Sequence, residues 1–147
     1  MAEAEKLVLS DEMVSNVNGA FENGKPIVVA YVDDEGQPHL SFRGTTQAFS
    51  PDQLAIWIRE PTGGILSNIE RHPRVTLLYR DSPNRTTYIF SGRARVQGDE
   101  ETRRVVFDNS PAREQEKDPE RLGKALVVDL DTVQGSEGER RFLMKRG

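Results

Sequence analysis

Trp57-Ile-Arg-Glu-Pro-Thr-Gly-Gly-Ile-Leu-Ser-Asn-Ile-Glu-Arg-His-Pro-Arg-Val75 holds a strand end, a glycine turn, a short helix with its stop, and the beginning of another strand. The first strand ends on a cation, Arg59. The chain then turns through Thr62, Gly63 and Gly64 into a helix start, and Pro73 stops that helix. A helix N-terminus carries unpaired backbone N–H groups and a partial positive charge, so it attracts anions. Glycines let the backbone approach a ligand closely, and Thr62 adds a hydroxyl. The stretch therefore reads as a place to hold a phosphate. Taken alone, Thr62-Gly63-Gly64 is equally an ordinary loop with a helix cap. It is neither a Walker motif, since no Gly-Lys-Ser/Thr follows, nor a dinucleotide fingerprint, since the G-x-G-x-x-G spacing is missing.

Upstream, Ser50-Pro51-Asp52 turns the chain into the strand Gln53 to Arg59, and a long strand is expected from about Gln37 to Phe49. At a spacing of two, Leu40, Phe42, Gly44, Thr46 and Ala48 share one face, expected to enter the core. His39, Ser41, Arg43, Thr45 and Gln47 share the other. That second face is either a solvated sheet surface or a row of ligand-binding groups with Arg43 at its centre. Arg59 at the end of the neighbouring strand favours the second reading, because two guanidinium forks suit phosphate oxygens. Trp57 alternates with Arg59 and reads as a core residue that could also stack on a ring.

Further out, Ser10 caps a helix within residues 1–25, with Asp11 and Glu12 in its first turn. Pro26 to Val32 is a strand, and Asp33-Asp-Glu-Gly36 a hairpin turn. Arg74 to Arg80 and Arg85 to Gln97 are strands joined at Asp81-Ser-Pro-Asn84. Residues 99–123 form a helical insertion, Lys124 to Val133 a strand, Gln134 to Glu139 a loop and Arg140 to Lys145 a last strand. Seven strands joined mainly by hairpins predict a single mainly-β (α+β) domain over residues 1–147, an antiparallel barrel with peripheral helices.

Composition narrows the chemistry. With no cysteine there is no disulfide, thiolate metal site or thiol catalysis, and two histidines are too few for an ordinary histidine metal site. A net charge of −4 gives no footprint for nucleic acid. There is no signal-peptide pattern and no apolar run of membrane-spanning length, so a cytoplasmic protein without nucleic-acid or membrane partners is expected. Asp33/Asp34 and Asp129/Asp131 read as solvated carboxylates, and His72 as a helix-end residue. No protein acid or base is nominated for catalysis.

The segment Arg43 to Val96 resembles the pyridoxamine 5'-phosphate oxidase-like, FMN-binding split-barrel superfamily. Ile69-Glu-Arg-His-Pro-Arg-Val-Thr-Leu-Leu78 matches that family's helix end and following strand. Counting back places Gly63-Gly64-Ile65 on the family's Ser-Arg-Lys turn, Ile58-Arg59 on its Tyr-Thr pair and Arg43 on its leading arginine. Counting forward puts Thr87 where a ring-contacting glutamine stands. The resemblance implies a split β-barrel binding FMN, with Arg43 and Arg59 at the phosphate, joined by the backbone of Gly63, Gly64 and Ile65. Gly44, Thr45 and Thr46 would run beside the ring. It also implies a homodimer with the cofactor at the subunit interface, so that Tyr79, Arg80 and Thr87 reach the cofactor of the other chain.

An FMN-dependent oxidoreductase acting on a small molecule is the leading expectation. The alternatives are a deazaflavin-dependent reductase and a non-catalytic flavin or tetrapyrrole carrier. The family's Arg-Lys pair is Gly64-Ile65 here, and no counterpart of the pyridoxal-gripping C-terminal segment follows Val133, which argues against vitamin B6 oxidation.

Overall fold

The computed structural model describes residues 3–60 and 64–147. Its strands are β1 (Ala4–Lys6), β2 (Val28–Val32), β3 (Pro38–Phe42), β4 (Gln47–Ser50), β5 (Gln53–Ile58), β6 (Arg74–Asp81), β7 (Thr86–Val96), β8 (Lys124–Glu137) and β9 (Arg140–Lys145). Its helices are α1 (Asp11–Gly19), α2 (Gly64–Asn68), α3 (Glu100–Asp108) and α4 (Ala112–Gln115). The mainly-β class holds. The sheet is mixed rather than purely antiparallel, because β1 runs parallel to β9.

One path through the sheet runs β3-β2-β6-β7-β8, and β5 and β4 continue from β8. The long strand β8 makes this branching possible. Along one edge it pairs with β7 from Leu126 to Glu137. Along the other it pairs first with β5, through Lys124 to Asp129, and then with β9, through Thr132 to Glu137. The change of partner coincides with a register shift opposite Ser91/Gly92. A Cβ on Gly92 would lie 2.3 Å from the Asp129 carbonyl oxygen, so only glycine fits where β8 bends past β7.

Strict alternation drives the curl. In β6 the pattern is buried at Val75, Leu77, Tyr79 and Asp81 and exposed between them. Inward residues of β2, β5, β6, β7 and β8 meet in one core around Val29, Ile56, Leu77, Phe90 and Leu130. The two ends of the path, β3 and β4, are consecutive in sequence yet not paired with each other. They bound an open seam, crossed by residues 43–46.

Ser10 caps α1 as expected, its Oγ accepting from the Met13 N–H at 3.1 Å. Helix α1 is tied to the barrel through Tyr88, whose hydroxyl accepts from Asn16 (3.0 Å) and donates to Glu137 (2.7 Å). Burial first, and then Glu137, holds the Tyr88 phenol far above its ordinary pKa.

Three expectations about elements need correction. The continuous strand from Gln37 to Phe49 is two strands, β3 and β4, broken at the seam. Leu40 and Phe42, expected inside, are 73% and 70% exposed, because the opposite side of the sheet faces the core. The expected loop from Gln134 shrinks to a turn, since Gln134 to Glu137 are held by ladders on both sides.

Candidate functional site

Arg43 and Arg59 are brought together at the open seam. The chain leaves β3 at Phe42, and the Arg43 N–H donates to the Ile27 carbonyl at 2.9 Å. The turn closes on itself through Thr46, whose N–H and hydroxyl both donate to the Arg43 carbonyl, at 3.2 and 2.8 Å. Thr45 then fastens the turn to β5. Its Oγ1 accepts from the Trp57 N–H at 3.0 Å and donates to the Trp57 carbonyl at 2.8 Å. The hydroxyl thus takes the place of a ladder partner one step beyond the Gln47–Ala55 pair. Gln47 adds bonds to the Thr45 and Val106 carbonyls. The turn is held from both flanks.

The result is a cleft of about 500 Å³, lined among others by Ser41, Phe42, Arg43, Gly44, Trp57 and Arg59, with Glu60, Glu114 and Lys117 at its rim. Its size lies within the range of small-molecule sites. A Cβ on Gly44 would be 2.3 Å from Glu114 Oε1 and 2.5 Å from Phe21 Cδ1, so a larger residue there requires both side chains to move. The lining carries three cations (Arg43, Arg59, Lys117) against two carboxylates (Glu60, Glu114), leaving it net positive in an acidic protein.

Glu60 bridges the arginines, with Oε2 3.2 Å from Arg43 Nη1 and Oε1 3.6 Å from Arg59 Nε. Lys117 pairs with Glu114 at 3.1 Å. The Nε of Arg43 is buried and has no hydrogen-bond partner among the described residues. A buried cationic donor without an acceptor is costly, so Glu60 alone leaves the Arg43 guanidinium under-satisfied.

Residues 109–123 form one wall of the cleft, through Glu114 and Lys117. This segment is anchored to β5 by Asp118, which accepts from the Trp57 indole N–H (2.9 Å) and from the N–H groups of Leu122 and Gly123 (both 2.9 Å). Burial pushes the Asp118 carboxyl up, but these donors and Arg103 outweigh it and leave its pKa below the ordinary value. Trp57 also packs edge-on against Phe107, at 5.2 Å between ring centroids, so its role here is structural as well as lining. Sequence reading missed Glu60, Glu114, Lys117 and Phe21. Glu60 was findable beside Arg59, whereas the others reach the cleft only through tertiary packing.

The remaining sequence candidates divide. Thr62 and Gly63 lie outside the described residues. Gly64 and Ile65 begin α2, a helix of five residues, and are not among the cleft's described lining; the Ile65 side chain is buried in the core. The Ile58 side chain likewise points into the core, leaving it only a backbone role. The hydroxyls of Thr45 and Thr46 are spent on the turn. Arg80 and Thr87 are cross-strand neighbours on the outer face, 3.5 Å apart at Nη1 and Oγ1. Tyr79 does not join them: alternation turns it inward, where it stacks on Tyr88 at 5.4 Å, and its expected reach toward another chain's cofactor is withdrawn.

With this geometry in place, the sequence matches the pyridoxamine 5'-phosphate oxidase family over residues 13–136. The chain belongs to that family. No curated protein sequence gives a significant match. Among solved structures, a pyridoxamine 5'-phosphate oxidase-related, FMN-binding protein of Nostoc punctiforme superposes with a TM-score of 0.73 at 13% identity, covering 92% of this chain and 88% of that one. An FMN-binding protein of Syntrophomonas wolfei gives 0.62 at 8% identity, covering 88% and 89%. A Clostridium acetobutylicum protein related to general stress protein 26 gives 0.68 at 10% identity, covering 92% and 96%. At such identities the likeness concerns the fold.

Proposed function

We propose that this protein binds FMN in the seam cleft, with the phosphate on Arg43 and Arg59, and works as a flavin-dependent oxidoreductase on a small molecule. The observation that carries the reading is the convergence of the Arg43 and Arg59 guanidiniums on one cleft. A phosphate monoester supplies the charge and the several acceptor oxygens those donors lack. The names of the Nostoc and Syntrophomonas structures support the choice of a flavin nucleotide.

The flavin, when bound, supplies the hydride or electron chemistry. The chain's own residues bind and orient it. Arg43 and Arg59 neutralise the phosphate, and Trp57 and Phe42 give apolar walls that limit water.

A homodimer completes this reading. The outer face of β2, β3 and β6 exposes Leu40, Phe42, Val32 and Leu78 together, more apolar surface than single scattered residues explain. Phe42 belongs both to that face and to the cleft, so a second subunit seated there would close the site. Arg80 and Thr87 lie beside the same face and would approach the partner's cofactor.

Titration of apo-protein with FMN, followed by flavin fluorescence, tests the assignment. Arg43→Ala removes a charge-assisted contact and is expected to weaken binding by about tenfold to a hundredfold, or about 1.5–3 kcal/mol. Equal affinity in the variant and the parent would refute the placement of the phosphate.

A further inference from the structure

We propose that Glu60 is a resident anion that stands in for the ligand's phosphate and is exchanged for it, so that the cleft accepts dianions and passes over carboxylates. The proposal deepens the reading of the cleft as a phosphate site and rests on it.

Glu60 reproduces half of what a phosphate would do. Each of its carboxylate oxygens faces a different guanidinium, Oε2 toward Arg43 and Oε1 toward Arg59. Both oxygens are thereby engaged, and Arg43 Nε remains buried without a partner among the described residues. A tetrahedral phosphate has three terminal oxygens and can face both guanidiniums at once with an oxygen to spare. It also brings two charges where Glu60 brings one. A monoanionic carboxylate ligand gains nothing over Glu60 itself.

Displacing Glu60 costs little. It lies beyond the last paired residue of β5, Ile58, and its side chain is 51% exposed, so the freed carboxylate returns to water. Ion pairs of such exposure are individually weak. Meanwhile Glu60 offsets the repulsion between the arginines in the empty cleft and keeps them in binding geometry. The same local negative charge penalises the incoming anion. Selectivity arises from that difference, since only a ligand carrying more charge and more acceptors than the resident carboxylate prevails.

The test compares the parent protein, Glu60→Gln, and Glu139→Gln as a control that makes the same change in net charge in the distant turn between β8 and β9. Each is titrated with FMN, inorganic phosphate and acetate by calorimetry at low ionic strength. Glu60→Gln is expected to bind phosphate and FMN about threefold to thirtyfold more tightly and to gain measurable affinity for acetate, while Glu139→Gln matches the parent. Equal or weaker phosphate binding in Glu60→Gln, or an equal gain in Glu139→Gln, overturns the proposal. In the parent protein the Arg43 Nε–H NMR signal should shift on adding phosphate; an unmoved signal overturns it without any variant. If phosphate behaves as described and FMN binds to none of the three proteins, the exchange stands and the flavin reading falls.

Discussion

The hydroxyl of Thr45 fastens the seam turn to β5, and its removal has a calculable consequence. Thr45→Val nearly preserves shape, so the perturbation is polar. Oγ1 accepts from the Trp57 N–H and donates to the Trp57 carbonyl, and Thr45 and Trp57 are only 8% and 4% exposed. Both backbone groups of Trp57 would lose this partner away from water. Each orphaned buried group costs about 1–3 kcal/mol, so the variant should lose about 2–6 kcal/mol of stability. For a chain of this size that is a fall in Tm of about 5–20 °C.

Thr46→Val is the comparison. Its hydroxyl only donates to the Arg43 carbonyl, which keeps the Thr46 N–H at 3.2 Å, so the expected loss is about 0.5–1.5 kcal/mol. Urea unfolding at one fixed protein concentration, with the slope checked for constancy, measures both. Thr45→Val should also weaken FMN binding, because Arg43 is positioned by the turn. If the two variants lose the same stability, the hydroxyl is not standing in for a ladder partner and the account of the seam is wrong.

Trp57→Phe deletes the indole donor to Asp118, which keeps the N–H groups of Leu122 and Gly123. A loss of about 1–3 kcal/mol is expected, with faster amide exchange in residues 118–123; unchanged exchange there would show that the wall is anchored elsewhere. Phe42→Glu places a charge on the exposed apolar face and should yield folded monomers in sedimentation velocity, with FMN affinity reduced; a persistent dimer would place the interface elsewhere.

Acid should destabilise the protein through its aspartates. The carboxyl of Asp34 is held below its ordinary pKa by Arg71 and then His72, that of Asp33 by His39 and then the Gln37 N–H, and that of Asp99 by the Thr102 N–H. A depressed folded pKa contributes stability above the unfolded value of about 3.9, and that contribution disappears as pH falls through the folded values. Tm should therefore decline below about pH 4, and Asp34→Asn should flatten the decline. An identical pH profile in Asp34→Asn would remove Asp34 from the account.

The sequence is most legible where local chemistry is strong. Turn signals such as Pro73 and Asp81-Ser-Pro-Asn84 placed β6 and the start of β7 close to their observed limits, and Ser10 with its acidic first turn defined α1. Alternation correctly grouped Leu40 with Phe42 and failed on which way the group points. Period two states which residues share a face, whereas the choice of inside is made by the strands stacked on either side. The break between β3 and β4 was hidden for a related reason. Gly44 continues a plausible strand pattern, and only the packing of Phe21 and Glu114 against it reveals a turn. Asp34 is solvated as expected, its side chain 58% exposed, and it also meets Arg71 and His72 from beyond α2, at 2.7 and 2.8 Å, a contact with no local signature.

What the chain dictated unaided was a β-rich molecule, two arginines at strand ends and the absence of thiol chemistry, because these follow from residue type and nearest-neighbour spacing. Only tertiary structure decided that Arg43 and Arg59 share a cleft, that Glu60 lies between them, and that residues 109–123 wall it. Those facts depend on β8 changing partners midway and on one threonine hydroxyl joining a turn to a strand twelve residues along. Contacts between segments distant in sequence are fixed by how the sheet closes, and that closure is a property of the whole core.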